Sequence, residues 1–185
     1  MSVAVAVHRA TLADLARVDG KAELVAGRVV RHMATGSRPG IVALRIARRL
    51  ADYADAAGGT VYGDNVGFAV PELSTGRESF SPDAAYYTGP QPINAMRFVP
   101  GPPDFAAEVR SDGDYGPAAE AAMAAKRAEY FEAGTRAVWD VDPVARVVRL
   151  YRPGDAAPGV FGPGSEADAE PAVPGWRLPV DWLMA

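Results

Sequence analysis

Two carboxylates and a lysine fall within reach of one another in the middle of this sequence. FSPDAAYY carries Asp83, PPDFAAEVR carries Asp104 and Glu108, and the helical pattern AAKRAEYFEAG carries Lys126. Carboxylates at the rim of a sheet are hard oxygen ligands for a divalent metal, with water and substrate filling the remaining positions. The backbone carbonyl of Val109, beside Glu108, is a third ligand at the same rim. A lysine next to such a centre orients or deprotonates the attacking water, or neutralises charge that develops on a phosphate. Glu23, in AELVAGRVV, is a further acidic group for a second metal or a metal-bound water.

Each residue also has a plainer account. An aspartate after proline at a strand start is common turn chemistry, which covers Asp83. Glu108 sits between apolar neighbours, where a carboxylate needs a partner, and Arg110 on the same strand face is the obvious one. Lys126 pairs equally well with Glu129 or Glu132 along its helix. Asp104 competes with Asp83, because Pro103-Asp104 also precedes Glu108 on one strand face. Spacing alone does not choose between them.

The elements around these residues follow from periodicity. Thr11 and Asp14 have the form of a capping box for a short helix. AELVAGRVVRHM alternates about Ala26-Gly27, the pattern of a hairpin. A helix is expected over about Ile41 to Ala56, with Ile41, Leu44, Ala47, Leu50/Ala51 and Ala54 as its apolar stripe and Arg45, Arg48, Arg49 and Asp52 opposite, the ordinary account of the arginines being a solvated face. TVYGDNVGFAV is expected as two short strands about a Gly-Asp-Asn turn, PELSTGRES as a polar loop and FSPDAAYY as the next strand. In PPDFAAEVR, Phe105, Ala107 and Val109 point into the core, and Asp104, Ala106, Glu108 and Arg110 point away. Pro117 opens a helix that Gly134 ends, AVWDVD and RVVRLYRP form a hairpin, and residues 153–174 are expected as a long surface loop with a short strand near Val160-Phe161. Trp176, Leu178, Val180 and Trp182 alternate as a strand would. The fold class is mixed α/β, a central sheet with two principal helices in one domain spanning 1–185.

Composition bounds the function. The chain of 185 residues has no cysteine, which excludes disulfides, thiolate metal sites and cysteine nucleophiles. Histidine occurs only as His8 and His32, too little for a His-rich metal site or a Ser-His-Asp triad. No leader-like start and no bilayer-length apolar run is present, so a cytoplasmic protein without membrane contact is expected. The net charge of −4 speaks against coating nucleic acid. Its distribution is uneven, however. Between Leu24 and Ala51 there is no acidic residue, while Arg28, Arg31, Arg38, Arg45, Arg48 and Arg49 all fall there, so a basic face on an acidic protein is possible.

The block SPDAAYY, PPDFAAEVRS and KRAEYFEAGTRAVWDVDPVARVVRLYRPG, with ELVAGRVVRHM and VPGWRLPVDWLM at its ends, resembles the Uma-two family within the PD-(D/E)XK nuclease superfamily. The resemblance implies a restriction-endonuclease-like core, a mixed sheet flanked by helices, and cleavage of DNA that depends on Mg²⁺ or Mn²⁺. Carried over, Asp83 and Glu108 are the acids, Lys126 is the superfamily lysine moved onto the helix, and Glu23 is the acid of the E-L-x-x-G segment. Asp104 matches a position of structural character. The sequence departs in three places. Arg110 stands where the superfamily's lysine usually follows the acid, SDGDYG replaces S-P-S, and Pro39-Gly40 replaces a histidine for which His32 lies too early. Arg31, Arg38, Arg45, Arg48, Arg49 and Arg110 are the expected contacts to the DNA backbone. No organic cofactor is expected. The alternative is a nuclease-fold module that binds nucleic acid or a protein without cutting. A homodimer is a further expectation, and Trp176 and Trp182 pack in the core or offer its surface.

Overall fold

The structure, a computed structural model, describes residues 9–185, so His8 and the chain start searched for a leader lie outside it. Thr11 and Asp14 close the expected capping box, each side chain meeting the other's backbone, and begin α1 (Leu12–Leu15). β1 (Ala22–Val25) and β2 (Arg28–Arg31) pair antiparallel. Ala26 and Gly27 turn between them at φ 49° and 68°, the left-handed pair that a two-residue hairpin requires.

α2 (Ser37–Ala57) starts earlier than Ile41, with Pro39 in its first turn, where a missing N–H leaves no helical bond unmade. Its buried stripe is Val42, Ala43, Ile46 and Leu50, so of the expected stripe Leu50 is buried and Ala47 and Ala54 pack against the core half-buried. Ile41 and Leu44 are 46% and 69% exposed. Apolar residues occupy more than half of this helix's circumference, so periodicity fixes the helix without fixing which side meets the sheet.

β3 (Thr60–Gly63), β4 (Phe68–Ala69), β5 (Ser79–Phe80), β6 (Ala84–Tyr87), β7 (Val99–Pro100) and β8 (Phe105–Val109) lead to α3 (Pro117–Ala133), then β9 (Ala137–Asp142), β10 (Val147–Tyr151), β11 (Gly159–Phe161), β12 (Glu166–Ala169), β13 (Val173–Pro179) and α4 (Val180–Leu183). The described residues form a mixed sheet in the order β11-β10-β9-β8-β6-β3. In it β8 and β9 run parallel, joined through α3, and their other neighbours are antiparallel. β5, β4 and β7 make a smaller sheet. β3 and β4 are the two short strands expected about Gly63-Asp64-Asn65, and they belong to different sheets.

Strand alternation sends side chains to two apolar clusters. Ala84, Tyr86, Phe105, Ala107, Val109, Trp139 and Val141 pack against α2 and the β13 side, while Ala85, Tyr87, Ala106 and Val138 pack with Phe68, Phe80 and Tyr130. β8 is buried on both faces. Along the α3 face the register pairs Ala106 with Val138 and then Glu108 with Asp140. That face turns from apolar to charged within one pleat.

Residues 153–174 are not a long surface loop. They hold β11, β12 and the first residues of β13, and Ala167, Ala169, Ala172 and Val173 are buried. Small apolar residues alternating among Pro, Gly and Asp hide this hairpin from a reading by composition. The tail is a strand through Trp176 and Leu178, then turns at Pro179 into α4, so Val180 and Leu183 are buried as helix residues. Among the described residues no helix is long and apolar enough to cross a membrane.

Candidate active site

Four separated segments meet where the α3 face of the sheet becomes charged. The chain breaks between β5 and β6 at Ser81-Pro82-Asp83. There the Asp83 amide donates to the Ala107 carbonyl at 3.1 Å, and Asp83 Oδ2 accepts from the Val109 amide at 2.7 Å. The proline turn thus clips Asp83 onto the neighbouring strand, one pleat from Glu108. Glu108 Oε1 accepts from Tyr130 Oη at 2.6 Å and lies 2.9 Å from Lys126 Nζ. Lys126 and Tyr130 stand one turn apart on α3, so one face of that helix delivers both.

Glu23 completes the cluster from β1. Its Oε1 accepts from the Ser81 amide at 2.9 Å and from Lys126 at 3.0 Å. Its Oε2 accepts from Arg77 Nη1 at 2.7 Å and lies 3.4 Å from His32 Nε2. Its side chain is 2% exposed and both oxygens are occupied, one of them by Lys126. Arg77 continues the network through Nε to Glu129 at 2.6 Å, and its guanidinium lies over the Phe80 ring. Lys21 meets Asp83 Oδ1 at 2.5 Å and Asp64 at 2.7 Å.

The electrostatics differ sharply between the acids. Burial would raise the Glu23 carboxyl, but Lys126, His32 and Arg77 outweigh it and hold the group well below its usual range. Burial raises Glu108, Lys126 opposes that, and the charges of Asp83 and Glu23 leave it above its usual value. Burial would lower Lys126, yet Glu108 and Glu23 raise it further, so it is an ammonium at neutral pH.

This donor set fits Mg²⁺ or Mn²⁺, which take hard oxygens. Burial first, and then the neighbouring charges of Asp83 and Glu23, hold Glu108 above its usual value, a surrounding that a cation relieves, and the Glu108 Oε2 has no donor among the described residues. Asp83 and Glu108 would be the ion's carboxylate ligands, with the Val109 carbonyl at the same strand end. Among the described residues no three His, Cys, Asp or Glu side chains are grouped to hold a metal by themselves, so water and substrate would complete the shell. The cluster opens on a cleft of about 940 Å³ lined by Lys21, Glu23, Asp83, Glu108, Val109 and Lys126.

A family model named Uma2, described as "Putative restriction endonuclease", matches residues 10–181. The chain belongs to the Uma2 family. Comparison with curated proteins returns no match. Among solved structures it is similar to one from Anabaena variabilis, described as a "putative nuclease belonging to DUF820", at 16% sequence identity and a TM-score of 0.74. The match covers 94% of this chain and 97% of that one. At that identity the likeness is one of fold.

In this Uma2 chain Lys126 touches both Glu23 and Glu108, and Asp83 adjoins Glu108 through the Val109 amide and carries Lys21 on its other oxygen. Asp104 accepts from Thr88 N and Oγ1 at 2.7 and 2.8 Å, outside the cluster. Arg110 does not pair with Glu108. It forks onto both oxygens of Asp140 at 2.7 Å each and reaches Glu120, with its side chain 5% exposed, so four of its five N–H donors are committed within the protein. Glu129 and Glu132, the alternative partners of Lys126, bind Arg77 and Ser74 instead.

The arginines of α2 are not a simple solvated face. Arg38 donates to the Met184 carbonyl and Arg45 to those of Leu183 and Ala185, and Arg45 and Arg49 lie over the Trp182 ring. They fasten the C-terminal segment. Arg48 and Arg31 are exposed, and Arg31 lines the cleft. His32, set aside as too early in the sequence, reaches Glu23 because β2 folds back beside β1. Lys21, Arg77 and Tyr130 were missed. A signal for Lys21 existed: the chain has two lysines against seventeen arginines, and both lysines are in this cluster. Where arginine is the general basic residue, a retained lysine marks a place that needs a compact charge.

Proposed function

We propose that this protein is a divalent-metal-dependent endonuclease that hydrolyses DNA phosphodiester bonds. The reading rests on one observation: Asp83, Glu108 and Lys126, from three separate elements, converge at the end of the parallel strand pair and open on a cleft. Asp83, Glu108 and the Val109 carbonyl would hold Mg²⁺ or Mn²⁺, which when bound supplies charge to the scissile phosphate and acidity to water. Lys126 is fixed from both sides by Glu23 and Glu108. As a permanent ammonium it orients water or offsets phosphate charge by donating hydrogen bonds, and it is not the base. Glu23, held ionised by Arg77 and Lys126, keeps that ammonium in place. Arg31 at the cleft is the first choice for a backbone contact.

The test is cleavage of supercoiled and single-stranded DNA with Mg²⁺, Mn²⁺ or EDTA, by wild type, Glu108→Gln and Lys126→Met. Metal-dependent nicking lost in both variants is expected. A folded wild type that retains DNA without cutting it under either metal would overturn the nuclease and select the non-cutting module.

A further inference from the structure

Asp83 has both oxygens engaged. Oδ2 is bound by the Val109 amide, a bond set by the strand framework. Oδ1 accepts, among the described residues, from Lys21 alone. Lys21 Nζ is also 2.7 Å from Asp64, whose side chain is 51% exposed at the cleft edge. Glu108 contrasts with this, since its Oε2 has no donor among the described residues. One of the two cleft acids has a free oxygen, therefore, and the other carries a cation on a flexible stem that already touches a second carboxylate.

We propose that Lys21 is an internal counter-cation which a divalent ion displaces from Asp83 onto Asp64, so that this lysine sets the affinity of the metal site. The inference rests on the reading of Asp83 and Glu108 as metal ligands. An ammonium and a divalent ion on one carboxylate oxygen repel strongly in a partly desolvated cleft, so binding the ion means moving the lysine. The move is short. Asp64 is already in contact, and a lysine stem rotates without the planar fork that would tie an arginine to one carboxylate. Lys21 thereby keeps Asp83 oriented before the ion arrives.

Titration calorimetry of the full chain with MnCl₂, without DNA, tests this independently of cleavage. Lys21→Met is expected to bind Mn²⁺ roughly tenfold more tightly than wild type, the scale of one partly screened charge. Asp64→Asn, which removes the second seat, is expected to bind several-fold more weakly. Asp64→Asn added to Lys21→Met is expected to change nothing, because there is no ammonium left to receive. Lys21→Gln repeats the measurement if Lys21→Met does not fold. Wild type and Lys21→Met binding equally, or Lys21→Met binding more weakly, would overturn the displacement and leave the nuclease reading standing. Asp64→Asn weakening both backgrounds alike would make Asp64 a ligand and overturn the hand-over. No binding by any folded variant would sink the metal site itself, and the inference with it.

Discussion

Replacing Glu23 by glutamine changes one atom's charge in the least exposed part of the site. The carboxylate, 2% exposed, faces Lys126 on one oxygen and Arg77 on the other. An amide keeps one acceptor and turns its NH₂ towards one of the two cations, so a donor meets a donor. Removing one partner from a buried ion pair costs about 3–5 kcal/mol, because the opposing charge stays buried without compensation. For a chain of this length that is roughly 6–20 °C in melting temperature. The pH dependence carries a second signature. The folded Glu23 carboxyl titrates well below its ordinary 4.5, so its stabilisation is complete above that value and is lost as pH falls through the depressed folded value. The stability gap between wild type and Glu23→Gln therefore closes on acidification below 4.5. Urea unfolding followed by circular dichroism, at neutral pH and in acid, measures both. A loss under about 1 kcal/mol, the size of an exposed ion pair, or a gap that does not change with pH, would refute the anchoring role of Glu23.

Arg110→Lys loses the two-pronged grip on Asp140 and the reach to Glu120, and should cost about 1–3 kcal/mol in urea unfolding while Mn²⁺ affinity stays at the wild-type value. A changed metal affinity would return Arg110 to the site. The arginines separate in the salt dependence of DNA binding. Arg31→Ala should flatten the logarithmic slope by about 0.9, one phosphate contact. Arg45→Ala should leave the slope alone and lower the melting temperature, since Arg45 holds the Leu183 and Ala185 carbonyls.

The hairpin at Ala26-Gly27, α3 from Pro117 to Gly134 and the alternation of β8 were legible because each is fixed by local rules: a left-handed turn, a helix start and stop, a period of two. The convergence of Glu23, Glu108 and Lys126 was legible through the order of motifs. What stayed hidden depended on partners distant in sequence. Arg77 lies in a stretch that reads as polar loop, and nothing local says that Glu129, 52 positions on, will bury it. Arg110 is near Glu108 along the strand, yet β9 supplies Asp140 across the parallel pair and wins the guanidinium with two bonds. The buried side of α2 could not be read either, since Ile41 and Leu44 are as apolar as Val42 and Ile46. Only the docking of the sheet and of the C-terminal segment separates them.

The gathering of both lysines at the cleft also makes the molecule report on itself. Isotope-labelled lysine introduced in expression would give two Cε signals, one from Lys21 and one from Lys126, with no background from seventeen arginines. A spectroscopist could follow each ammonium singly through metal, salt or DNA titrations without cutting the chain or adding a tag. The same economy is a hazard at the bench. An amine-directed dye, crosslinker or sensor surface that reacts with lysine in this chain reacts at the cleft, so loss of binding after such treatment would speak of the chemistry used and not of the protein.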